Sequence, residues 1–120
     1  MPVSSPDAWV GIRRSPRYKV NLPIRLFAVT QNRKTVLQGR SHDLSLEGMA
    51  IYIPAELQVG QMVQIEFSLP DSLQKLGVHA IVRCSTGFRC GVEFQNLTPL
   101  DLESLARSCK KLAAAASQSR

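Results

Sequence analysis

Residues 18–28, Tyr-Lys-Val-Asn-Leu-Pro-Ile-Arg-Leu-Phe-Ala, decide the fold class. Val20, Leu22, Ile24, Leu26 and Ala28 alternate with Lys19, Asn21, Pro23, Arg25 and Phe27. A two-residue period of this kind marks a strand with one buried face and one wet face. Pro23 has no N–H for a ladder, which places it on an edge or at a bulge. The same alternation returns downstream. Strands are expected over Thr35–Asp43, over Met49–Ile53 up to Pro54, and over Met62–Leu69, where Val63, Ile65, Phe67 and Leu69 share a face. Turn residues separate them: Thr30–Lys34, Leu57–Gln61, and a loop from Pro70 to Gly77.

The last two strands, Val78–Cys84 and Phe88–Phe94, invite a register. Ala80, Val82 and Cys84 form one face, and Phe88, Cys90, Val92 and Phe94 form one face of the partner. A three-residue loop, Ser85-Thr86-Gly87, sets Cys84 opposite Phe88 and Val82 opposite Cys90, with Gly87 free to take positive φ. In that register Cys84 and Cys90 miss each other by one pair, so no disulfide is expected.

A helix closes the pattern. Thr98 is a good N-cap, Pro99 suits the first helical position, and Asp101 and Glu103 meet the positive end of the dipole. Leu102, Leu105, Ala106, Cys109, Leu112 and Ala113 keep a three–four spacing and read as the buried stripe. The expected architecture is mainly β: a small six-stranded antiparallel β-barrel with one C-terminal α-helix packed on it, from about residue 99 to 116. The expected division is an irregular, flexible arm at 1–12 anchored only by Trp9, a barrel-plus-helix domain at 13–112, and a short tail at 117–120.

The chain has 120 residues and a formal charge of +6, enough length for a core without metal or disulfide staples. The charge is unevenly placed. Arg13, Arg14, Arg17, Lys19, Arg25, Arg33, Lys34 and Arg40 follow one another with no acid between Asp7 and Asp43. Such a field attracts phosphates, acidic proteins or anionic surfaces. Cys84, Cys90 and Cys109 sit among apolar residues without metal-ligand spacing and read as reduced core fillers. No run is long and apolar enough to span a membrane, and the N-terminus lacks the apolar segment of a signal peptide, so a cytoplasmic location is expected.

Two polar motifs stand apart from this framework. Arg13-Arg14-Ser15-Pro16-Arg17 carries guanidinium groups four residues apart. Pro16 disfavours helix at Ser15, and in an extended loop the Arg13 and Arg17 Cα atoms lie up to about 13 Å apart. Two planar forks so spaced can grip two phosphates, or a phosphate and a base face. The second motif, Asp43-Leu44-Ser45-Leu46-Glu47-Gly48, lies where one strand ends and the next begins. As plain structure it is a capped turn, with Asp43 and Ser45 bonding nearby amides and Gly48 supplying the bend. As a site, Asp43 offers an acceptor to the N–H edge of guanine, Ser45 a hydroxyl, and Gly48 an open approach to the backbone.

The pair of motifs resembles the RxxxR and (D/N)xSxxG signature of PilZ domains, bacterial receptors for cyclic di-GMP. Gly91-Val92-Glu93-Phe94 is similar to the family's late GxxF strand, and Tyr18–Leu26 to the strand after its arginines. The resemblance covers about residues 12–112. It implies that Arg13 and Arg17, with Arg14 as an extra cation, contact phosphates and guanine faces from a flexible loop, and that Asp43, Ser45 and Gly48 form the barrel side of the site. Many members carry a further arginine just before RxxxR; here that place is Ile12.

The implied function is a receptor without catalysis or cofactor, whose ligand is cyclic di-GMP. Binding would order the arm and signal to an unidentified protein partner, and the chain would act as a monomer or weak homodimer. Two alternatives remain: a PilZ-like adaptor that binds only protein, and a basic barrel for single-stranded nucleic acid. The latter is short of stacking platforms, since Phe67, Phe88 and Phe94 fall on apolar faces. No enzyme is expected, because His42 and Asp43 are strand neighbours that should point to opposite faces.

Overall fold

The computed structural model describes residues 15–30, 32–70 and 74–118. Among these residues seven strands precede a helix: β1 (Tyr18–Lys19), β2 (Pro23–Thr30), β3 (Arg33–Leu44), β4 (Gly48–Tyr52), β5 (Met62–Ser68), β6 (Lys75–Thr86) and β7 (Arg89–Gln95), followed by α1 (Pro99–Gln118). Neighbouring strands run in the order β3-β2-β5-β6-β7-β4, and β4 also pairs with β3. That last pairing closes a six-stranded antiparallel barrel and removes its open edges. The two-residue β1 is an addition on β3, with Tyr18 opposite Leu44 and Lys19 opposite Asp43.

The alternating residues of 18–28 do not form one continuous strand. Ile24, Leu26 and Ala28 point into the barrel, as their spacing requires, but the ladder is interrupted between Lys19 and Pro23. Ser41 explains the break. Its hydroxyl accepts from the Leu22 N–H at 2.8 Å and donates to the Val20 carbonyl, so a side chain takes bonds that a partner backbone would otherwise make. Pro23, with no N–H to offer, starts β2.

The core is one cluster drawn from every barrel strand. Ile24, Leu26, Ile51, Val63, Ile65, Phe67, Val78, Val82, Val92 and Phe94 interdigitate, and the Phe67 and Phe94 rings stack with centroids 6.4 Å apart. Leu105 of α1 joins the same cluster.

The Thr98 cap forms as expected. Its hydroxyl accepts from the Asp101 N–H at 3.1 Å, while the Asp101 carboxylate accepts from the Thr98 N–H at 3.4 Å. The buried stripe, however, is rotated. Ser104, Leu105, Ser108 and Cys109 are buried, whereas Leu102 and Ala106 are exposed. Residues on either side of the Leu105–Cys109 line satisfy the same three–four spacing, so the period alone leaves the side undecided.

The final hairpin departs from the expected register. Thr86 pairs with Arg89, Ser85 with Cys90 and Cys84 with Gly91, so the loop holds two residues, Gly87 and Phe88. Gly87 takes φ = 61°, the positive value that a two-residue turn with glycine first demands. Face agreement is restored by a bulge. The register shifts between Val82 and Cys84, leaving Arg83 as the extra residue, and Val82 meets Val92. A register built without bulges needs an odd loop, and hence placed Phe88 on the core face. Cys84 and Cys90 still miss one another, and all three cysteines are free and buried. Desolvation by burial raises the thiol pKa of Cys90 and of Cys109.

The two registers differ measurably at Phe88, which is 61% exposed, against 2% for Phe67. Phe88→Ser is expected to change unfolding free energy by less than about 0.5 kcal/mol, the range for exposed sites. Phe67→Ala is expected to cost about 3–5 kcal/mol by urea denaturation. Equal losses would mean that Phe88 is a core residue and the two-residue loop is wrong.

Candidate functional site

Two motif side chains, Asp43 and Ser45, build the corner between β3 and β4 by satisfying backbone, and the motif glycine lets the strands close. β3 carries a bulge between Ser41 and Asp43, leaving His42 as the extra residue before Asp43 pairs with Ala50. A bulge disrupts the ladder locally, and here the Asp43 carboxylate repairs it: Oδ1 accepts from the Ala50 N–H at 2.9 Å. The Ser45 hydroxyl is buried in the turn. It accepts from the N–H groups of Glu47 at 3.1 Å and Gly48 at 3.2 Å, and faces the Gly48 carbonyl at 3.2 Å. At Gly48 a Cβ would stand 2.0 Å from the Val92 carbonyl oxygen, so glycine is required by the close pairing with β7. The space that a side chain would fill at residue 48 belongs to β7.

The arginine motif meets this corner. Arg17 Nη1 donates to Asp43 Oδ2 at 3.1 Å, and the two side chains are only 11% and 9% exposed. Glu47 adds a second tie: its Oε1 accepts from the Ser15 N–H at 3.2 Å. Glu47 occupies a variable place in the motif spacing, so its role was not legible beforehand. Together with the Tyr18–Leu44 and Lys19–Asp43 pairs of β1, these bonds hold residues 15–19 against the barrel. Arg13, Arg14 and Trp9 lie outside the described residues.

His42 and Asp43 do not diverge as strand neighbours should. Because His42 is the bulged residue, its Nδ1 comes within 3.7 Å of Asp43 Oδ2. Its ring stands edge-on to Tyr52, with centroids 5.8 Å apart. No cluster of three metal-ligating side chains forms among the described residues. None of the described helices is long and apolar enough to cross a membrane.

A barrel closed through β3 and β4, with an arginine docked on an Asp-x-Ser-x-x-Gly corner, describes a family. The PilZ domain family model matches residues 12–111, and the chain belongs to that family. Similar solved structures include the PilZ domain of CeSA from a cellulose-synthesizing bacterium, at 22% identity and TM-score 0.64, covering 82% of this chain and 99% of that one. The PilZ domain of YcgR from Escherichia coli, solved with c-di-GMP, is 23% identical with TM-score 0.67, covering 88% and 94%. The K. pneumonia MrkH–c-di-GMP complex is 14% identical with TM-score 0.72, covering 90% of this chain and 54% of that chain, so this chain spans about half of MrkH. At these identities the likeness is one of fold. Comparison with curated proteins gave no match.

The corner's chemistry makes its own forecast for stability. Ser45→Ala leaves one buried and one part-buried N–H without their acceptor and is expected to cost about 1–3 kcal/mol. Gly48→Ala drives a methyl into the Val92 carbonyl and is expected to cost at least as much, in the range of overpacked cores, about 1–3 kcal/mol or more. Both are read by chemical denaturation without any ligand. Wild-type stability in both variants would show that the corner is not the structural seam described.

Proposed function

We propose that this protein is a receptor for cyclic di-GMP, bound between the Arg13–Arg17 segment and the Asp43 corner. The observation that carries the reading is the Arg17–Asp43 contact, which joins the two motifs at one point across 26 positions of sequence. Two of the solved structures it resembles were obtained with that dinucleotide. Arg17 supplies a planar fork for phosphate or a base face, and Arg13 a second fork from the same segment. Asp43 offers carboxylate oxygens to the donor edge of guanine. Ser45 and Gly48 shape the turn that holds Asp43 in place. Ligand binding exchanges the internal ion pair for bonds to the dinucleotide, and the rearranged arm is the surface that a protein partner would read.

Calorimetric titration with cyclic di-GMP tests this. Wild-type protein is expected to bind, and Arg13→Ala or Arg17→Ala to weaken binding by about ten- to hundred-fold, since a charge-assisted bond contributes about 1.5–3 kcal/mol. For the carboxylate, Asp43→Asn is the right variant. It keeps an oxygen for the Ala50 N–H, whereas Asp43→Ala would also damage the β3–β4 seam. Its affinity is expected to fall by a similar factor. Absence of binding by the folded wild type would leave the protein-only adaptor as the reading.

A further inference from the structure

A concavity of about 470 Å³ opens beside the corner, on the outer face of β1, β3 and β4. Lys19, Asn21, Arg40, Ser41, His42 and Tyr52 line it. Its walls are held by the Ser41 bonds that stitch the chain at Val20–Leu22 to β3, and by Arg40, whose Nε donates to Asn21 Oδ1. Tyr52 is 44% exposed although it is a large aromatic. Antiparallel register places Arg40 directly opposite it on β3 and Arg89 directly opposite it on β7. A tyrosine thus sits between two guanidinium-bearing residues across three strands. Its neighbour His42 reaches within 3.7 Å of Asp43 Oδ2 and so borders both the concavity and the Asp43 corner.

A half-exposed aromatic ring with cations around it suits a flat base attached to a phosphate. Base–aromatic stacking is favourable for any base, and cations over the same surface neutralise the backbone. We propose that this concavity seats the second half of the dinucleotide: one base against Tyr52 and the adjoining phosphate on Lys19 and Arg40. The inference rests on the cyclic di-GMP reading and adds to it. The Arg17–Asp43 corner holds one nucleotide; Tyr52, Arg40 and Lys19 hold the other. None of these three residues belongs to the RxxxR or Asp-x-Ser-x-x-Gly spacing.

Titration of cyclic di-GMP into five proteins decides the matter: wild type, Tyr52→Ala, Tyr52→Phe, Arg40→Gln and Lys34→Gln. Tyr52→Ala and Arg40→Gln are each expected to weaken affinity by about ten-fold or more. Tyr52→Phe keeps the ring and is expected to stay within about three-fold of wild type. Lys34→Gln removes a cation at the far end of the β2–β3 hairpin and is expected to leave affinity unchanged, which separates local contact from general charge. Should Tyr52→Ala fail to fold, Arg40→Gln carries the decision. If wild type binds and Arg17→Ala does not, while Tyr52→Ala and Arg40→Gln keep wild-type affinity, the concavity is not part of the site. Failure of the wild type to bind at all would instead remove the receptor reading itself.

Discussion

Closing six strands into a ring requires the two end strands of the row, β3 and β4, to pair with each other. Residues 33–40 pair with β2, and Arg40 to Leu44 pair with β4. A strand that changes partner must bend, and the bend leaves backbone groups out of register. The bulge at His42 is that bend, and the Asp43 carboxylate supplies the acceptor that the ladder lacks at Ala50. Ser45 does the same for the N–H groups of the following turn, and Gly48 permits β4 to approach β7. The motif is therefore a closure device before it is anything else. A site placed on it inherits rigidity, because moving Asp43 would expose a buried N–H.

That double duty explains which parts of the chain were legible. Strands read correctly wherever alternation ran unbroken, as in Ile24–Ala28 and Val63–Phe67, because burial of one face dominates the choice of residues there. Reading failed where an extra residue changed the phase. Arg83 in β6 shifts the register by one, and without it the loop count must change to keep Cys84 and Cys90 on consistent faces. A bulge has no composition of its own: a surface arginine bonded to Glu93 looks like any other exposed strand residue. The helix shows a different limit. Leu102 and Ser108 flank Leu105 at about 60° on opposite sides, and the barrel buries the smaller residue, which no rule of hydrophobic spacing anticipates. Asp43, Ser45 and Gly48 stood out because turns restrict residue type so strongly. Ser41, Glu47 and the Arg40–Tyr52–Arg89 row did not, since each takes its meaning from a partner on another strand.

The Arg17–Asp43 pair gives the corner its selectivity on the proposed reading. Both groups are nearly buried, and parting such a pair is costly because a buried charge gives up a close opposite charge. A simple anion could draw Arg17 away, but Asp43 would then lose its cation and keep only the Ala50 N–H and the nearby imidazole. A neutral donor could engage Asp43, but it would displace the Arg17 guanidinium from that carboxylate. Only a ligand that brings an anion and a donor edge together answers both groups in one step. Guanine joined to a phosphodiester has that combination, whereas an anion without a donor edge, or a base without a phosphate, does not. Discrimination would then arise less from added contacts than from the cost of satisfying one half of the pair alone.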